Sequence, residues 1–135
     1  MKLSFLDTNI SLRHLLQDDP THAPKASAFL KRIEAGEVKV RTADTVIFET
    51  VFTLQRSYGK EKAAIRDTFL PLIELPGVVL PNKRRYRKVF SLYVENNLPF
   101  ADAYHAVLME QLNLTEIVSF DTDFDRIEGI TRIQP

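Results

Sequence analysis

Apolar positions recur along the chain with two different periods. Leu3, Phe5 and Leu6 form a short apolar run that ends at Asp7, which predicts a first strand over residues 2–6. From Thr8 or Asn9 the spacing lengthens: Ile10, Leu12, Leu15 and Leu16 supply the apolar positions of a helix ending at Leu16. Pro20 stops it, because the residue before a proline avoids helical backbone. A second helix is expected over Thr21–Ala35, closed by Gly36. Val38 and Val40 then alternate with charged residues as in a half-buried strand. Thr42 is a candidate cap for a third helix reaching Tyr58, with Asp44 in its first turn. A fourth helix runs over Lys60–Ile73, followed by the apolar run "GVVLPN" as a strand. Asn82 is a candidate cap for a fifth helix ending at Glu95, with Tyr86, Val89, Phe90, Tyr93 and Val94 as its apolar stripe. A sixth spans Phe100–Leu112. "TEIVSF" reads as a strand, "DTDFDRI" as a short turn or helix, and "ITRI" as a last strand.

Strands alternating with helices predict an α/β fold whose parallel sheet is covered on both faces. The chain has 135 residues, no internal repeat and no linker, so one domain over 1–135 is expected. That length can bury roughly two-thirds of the unfolded chain's surface, enough for a core without staples. Cysteine is absent, which excludes disulfides and thiolate metal sites. The three histidines, His14, His22 and His105, are too scattered for a zinc cluster. Basic and acidic residues balance at 18 each, so total charge selects no partner. No apolar run approaches the ~18 residues of a membrane span. Asp7 interrupts any signal-like apolar stretch, and the expectation is a cytoplasmic protein without membrane attachment.

In parallel sheets, sites gather at the carboxyl ends of strands. Asp7 follows the first strand there, and Asp121 follows the strand ending at Ser119 and Phe120. Glu49 lies among Val46, Ile47, Phe48, Val51, Phe52 and Leu54, in a helix apolar most of the way round, so partial burial is expected. Asp102 falls in the first turn of the sixth helix. Each acid also has a plainer reading: Asp7 as a helix cap, Asp102 as a first-turn anion favoured by the helix dipole, Asp121 or Asp123 as a cap. Gathered in one pocket they repel one another. A hard divalent cation with oxygen ligands, Mg²⁺ or Mn²⁺, relieves that repulsion. A calcium loop counted from Asp121 is excluded, because its sixth and twelfth positions are Arg126 and Arg132 rather than Gly and Glu.

Four motifs occur in order: "FLDTNI", a lone glutamate in the helix after strand two, "FADAYHA", and "VSFDTDFDRIEGI". Together they resemble the PIN-domain family across essentially the whole chain, and most closely the small VapC-type toxins of prokaryotic toxin–antitoxin pairs. The resemblance implies a three-layer α/β/α fold with a central, mainly parallel sheet of four to five strands. It implies that Asp7, Glu49, Asp102 and Asp121 are catalytic metal ligands, with Asp123 a secondary candidate and Thr8, Asn9 and Ser119 as polar supports. It also implies a Mg²⁺- or Mn²⁺-dependent ribonuclease, a structured or messenger RNA substrate, a homodimer, and silencing by a small antitoxin. With such ligands, hydrolysis proceeds by a metal-activated water attacking the phosphodiester.

Substrate contact requires local positive charge. "NKRRYRK" holds five basic residues between Lys83 and Lys88, and the phase of the apolar stripe turns Arg84 and Lys88 outward with Arg87 near the edge. Arg13 and His14, just after the first acid motif, and His105 are further substrate-contact candidates. The competing readings are an RNA-processing PIN nuclease without an antitoxin and a non-catalytic, metal-stabilised RNA- or protein-binding module. A phosphatase using Asp7 as nucleophile is disfavoured, because Asn9 stands where a second acid would be needed.

Overall fold

The computed structural model describes residues 2–135. In chain order its elements are β1 (Ser4–Phe5), α1 (Thr8–Leu16), α2 (His22–Glu34), β2 (Val40–Arg41), α3 (Asp44–Phe52), α4 (Lys62–Ile73), β3 (Val78–Val79), α5 (Arg85–Glu95), α6 (Phe100–Gln111), β4 (Glu116–Val118) and β5 (Thr131–Ile133). Thr53–Ser57 continues α3 as a π-helical turn, and Thr122–Arg126 forms a 3₁₀ turn. The elements fall into two compact units, one ending at Lys83 and the other starting at Arg84.

In the first unit β1, β2 and β3 pair in parallel, with Ser4 opposite Val40 and Val40 opposite Val78. Leu6, Leu30, Ile33, Val40 and Val78 form one cluster of its core, with Ile10, Phe29 and Leu72 packed against them. Ala23, Ala26, Leu30 and Ile33 are the buried residues of α2, at helical spacing. That helix ends in a Schellman motif: Gly36 takes a φ of 80°, its N–H bonds to Ile33, and the Glu37 N–H reaches back to Arg32. Gly77, just before β3, lies so close to α2 that a Cβ there would stand 2.8 Å from Ile33 Cγ2. The Leu6 N–H donates to the Arg41 carbonyl and the Thr42 N–H to the Val79 carbonyl, so the parallel ladder delivers Asp7 and Thr42 to the same sheet edge.

In the second unit α5 and α6 pack through an aromatic cluster. The Tyr86, Phe90 and Tyr93 rings lie 6.3, 5.0 and 5.2 Å from the Phe100 ring. Each such pair adds ~0.5–1.5 kcal/mol beyond simple burial. β4 and β5 form a second parallel pair, with Ile117 opposite Arg132. Every strand pairing among the described residues is parallel, α-helices separate β1 to β4, and a 3₁₀ turn separates β4 from β5, so the fold is α/β as expected, with ladders of three and two strands.

The structure corrects several local expectations. Ala43, not Thr42, is the N-cap of α3; the buried Thr42 hydroxyl instead donates to the Leu6 carbonyl at 3.1 Å, tying β2 to β1. Arg84 is the N-cap of α5, while Asn82 sits two residues earlier at a φ of 61° in the preceding turn. Helix α4 begins at Lys62 and carries Pro71 within it. The strands are shorter than the apolar runs that announced them. Two large apolar side chains in or near strands are exposed, Phe5 at 59% and Phe120 at 73%. Phe5 lies on β1, the edge strand of its ladder, and Phe120 lies two residues past β4. No helix among the described residues is long and apolar enough to cross a membrane.

Candidate active site

Asp102, Asp121 and Asp123 come together in the second unit: each offers one carboxylate oxygen, and these three oxygens lie within 4.8 Å of one another. Asp102 is placed by α6. Pro99 precedes the helix, Phe100 anchors its first turn in the aromatic cluster, and Ala103 is fully buried beside the acid. Asp121 and Asp123 are placed by the chain leaving β4. The Ser119 N–H extends the ladder to the Ile133 carbonyl. The Ser119 hydroxyl accepts from the Asp121 N–H at 2.9 Å, and Asp121 Oδ1 accepts from the Asp123 N–H at 2.9 Å. Asp121 therefore caps the 3₁₀ turn as well as facing Asp102.

The electrostatics of the cluster are uneven. Burial pushes the Asp102 carboxyl up to about 6, reinforced by its hydrogen bond with Asp121 and by the charges of Asp121 and Asp123. Asp121 is shifted the other way, chiefly by the Asp123 backbone N–H it accepts and then by Asp102. Asp102 Oδ2 is buried with no hydrogen-bond partner. An acceptor-only oxygen in that state lacks a cationic or donating neighbour. A small, hard divalent cation fits the donor set: the ligands are all oxygen, they carry excess negative charge, and one buried oxygen is unsatisfied.

A second association forms in the first unit. The buried Thr8 hydroxyl donates to Glu49 Oε2 at 3.0 Å. Glu49 is exposed rather than partly buried, because α3 turns Val46, Ile47, Thr50 and Val51 inward and leaves position 49 on the outer side. Asp7 occupies the N-cap position of α1, yet its side chain makes no capping hydrogen bond, so the capping reading does not account for its carboxylate. Asn9 lines a groove of about 540 Å³ between α1 and α2, together with Ile10, Arg13, His22, Lys25 and Phe29. Arg13 Nη1 lies 3.4 Å from Asp18 Oδ1. His105 is exposed, with its ring edge-on to Tyr104 at 6.3 Å.

The basic run divides by role. Arg84, Arg87 and Lys88 are exposed, and Lys88 forms an ion pair with Glu110 of α6. Lys83 points back into its own unit, where its ammonium donates to the Leu75 and Val78 carbonyls at 2.7 Å each. Arg85 donates to the Tyr104 hydroxyl at 2.6 Å and lies over that ring. Two residues bracing the acid turn were not among the sequence candidates. Arg126 donates to Asp123 at 2.9 Å, and Arg132 holds both oxygens of Asp125 while donating to the Ser119 carbonyl. The i, i+3 spacing of Asp123 and Arg126 was the one signal for the first.

A family model described as PIN domain matches residues 4–130. The chain belongs to the PIN-domain family. The match runs through both units and covers β1 to β4, ending one residue before β5. PIN domains form a nuclease superfamily whose members typically use divalent metals. A comparison with curated proteins gives no match.

Proposed function

We propose that this PIN domain is a Mg²⁺- or Mn²⁺-dependent endoribonuclease, acting as a VapC-type toxin that is held silent by a small antitoxin. The observation that carries the reading is the approach of the Asp102, Asp121 and Asp123 carboxylates, with the buried Asp102 Oδ2 left without a partner. In the second unit Asp102, Asp121 and Asp123 are the proposed ligands of the cation, and the family motifs propose Asp7 and Glu49 of the first unit as catalytic metal ligands as well. When bound, such an ion offsets charge on the phosphoryl oxygens and acidifies water for attack on phosphorus.

The chain's own residues do the positioning. Thr8 orients the Glu49 carboxylate, and Ser119 and the Asp123 N–H hold Asp121 in one geometry. Asp102 is the acid whose proton must leave before its oxygens can serve as ligands, because burial favours its neutral form. The exposed Arg84 and Arg87 are the proposed phosphate contacts. The protein is further proposed to work as a cytoplasmic homodimer.

The deciding experiment is cleavage of end-labelled RNA with Mg²⁺, comparing wild type with Asp102→Asn and Asp7→Asn, with EDTA as control. The wild type is expected to cleave and both variants to lose at least about a hundredfold in rate, as when a metal ligand set is broken. Equal cleavage by all three removes the nuclease assignment from this pocket. Metal binding without cleavage favours the binding-module reading. Co-expression with the product of an adjacent small reading frame tests the toxin role, since an antitoxin restores growth.

A further inference from the structure

Asp123 and Arg126 stand three residues apart in the 3₁₀ turn, where side chains at that spacing eclipse. Arg126 Nη2 donates to Asp123 Oδ1 at 2.9 Å. The same guanidinium donates through Nη1 to the Asn96 carbonyl at 3.1 Å and through Nη2 to the Asn97 carbonyl at 3.4 Å. Asn96 is the C-cap of α5, so its carbonyl belongs to the unsatisfied, negative end of that helix. Asn97 takes a φ of 50° and turns the chain into Leu98, which is fully buried, and Pro99, which precedes α6. Asp102 follows in the first turn of α6. One side chain therefore ties the turn bearing Asp121 and Asp123 to the segment that leads into Asp102.

We infer that Arg126 is a positioning residue for the acid cluster: its guanidinium sets the spacing of Asp123 and Asp102 for a divalent cation. The inference rests on the metal-site reading above. The Arg126–Asp123 pair is solvent-exposed, with side chains 47% and 35% accessible. An exposed pair of this kind adds little to stability. Its consequence lies in geometry, since a planar fork spans a carboxylate and two carbonyls where a lysine ammonium offers a single compact point.

Charge and geometry predict opposite signs for metal affinity. Removing a positive group beside the cluster strengthens cation binding if only Coulomb forces act. Losing the brace weakens binding. The test titrates Mn²⁺ into the full chain at pH 7.5, following free Mn²⁺ by electron paramagnetic resonance, for wild type, Arg126→Gln and Arg126→Lys. Circular dichroism melts establish that each variant is folded. Binding is expected to weaken about tenfold in Arg126→Gln, the usual scale for losing a group that orients a ligand. Arg126→Lys is expected to weaken several-fold although its charge is kept. The inference is overturned if Arg126→Gln binds Mn²⁺ as tightly as wild type or more tightly, or if Arg126→Lys matches wild type. A wild type that binds no Mn²⁺ overturns the metal-site reading itself, and this inference with it.

Discussion

The Thr8 hydroxyl donates to Glu49 Oε2 across 3.0 Å, although the two residues lie 41 positions apart. Thr8 is buried in the first turn of α1 and Glu49 is exposed on α3, so a buried donor sets the direction of an exposed carboxylate. Thr8→Val keeps the shape and deletes the donor. Unfolding free energy in urea is expected to fall by only ~1 kcal/mol. RNA cleavage is expected to fall about tenfold, as when a group orienting a ligand is lost. An unchanged rate would show that Glu49 needs no such orientation.

Asp102 makes stability depend on pH in a direction opposite to that of most paired acids. Its carboxyl is raised from 3.8 to about 6, so the folded protein holds the proton more tightly than the unfolded chain does. The stabilisation is fully present below pH 3.8, declines through pH 6 and is absent above it. Relative to wild type, Asp102→Asn is therefore expected to gain ~1–2 kcal/mol between pH 4 and pH 7.5 in EDTA, after allowance for solvent screening. Urea titrations of both proteins across that range measure it. Parallel pH profiles would show that Asp102 ionises freely. Saturating Mg²⁺ is expected to stabilise only the wild type at pH 7.5.

Gly77 approaches Ile33 too closely for a side chain. Gly77→Ala is expected to cost about 1–3 kcal/mol by overpacking α2 against the start of β3. The double variant Gly77→Ala, Ile33→Ala removes the Cγ2 methyl in the way. It is expected to be less destabilised than the sum of the two single changes, which a double-mutant cycle detects.

The basic run separates experimentally into scaffold and surface. Lys83→Met removes an ammonium that donates to two carbonyls and is expected to destabilise the fold by about 1.5–3 kcal/mol, with RNA affinity unchanged. Arg84→Gln and Arg87→Gln alter exposed side chains, and Arg84→Gln is expected to leave stability unchanged. Each is expected to weaken RNA binding and to lower the salt-dependence slope by about one. Fluorescence anisotropy in EDTA at several salt concentrations reads both quantities. A salt slope that drops for Lys83→Met and stays constant for the arginine variants reverses the assignment.

Much of this protein is written in local patterns. The stripe Tyr86, Val89, Phe90, Tyr93 and Val94 announces α5, and the first four are fully buried while Val94 is partly so. The bounds of α1 and the final 3₁₀ turn follow from Pro20 and from the Asp-rich run after β4, because proline and short acidic side chains act within a few residues. Local patterns do not fix the exposure of Glu49, which lies on the outer side of α3. Helical spacing shows which residues share a side, but which side faces a neighbouring element depends on packing among distant segments.

The sequence by itself determined the alternation of helices and strands, the absence of thiol chemistry, and the identity and order of the acids that mark the family. Those properties follow from residue types and short-range spacing. Tertiary structure alone decided that Thr42 secures Leu6 instead of capping a helix, that Lys83 turns inward to two carbonyls, and that Arg126 reaches the carbonyls of Asn96 and Asn97. A hydrogen bond is a contact of about 3 Å. Residues thirty or forty positions apart meet at that distance only after the chain has packed.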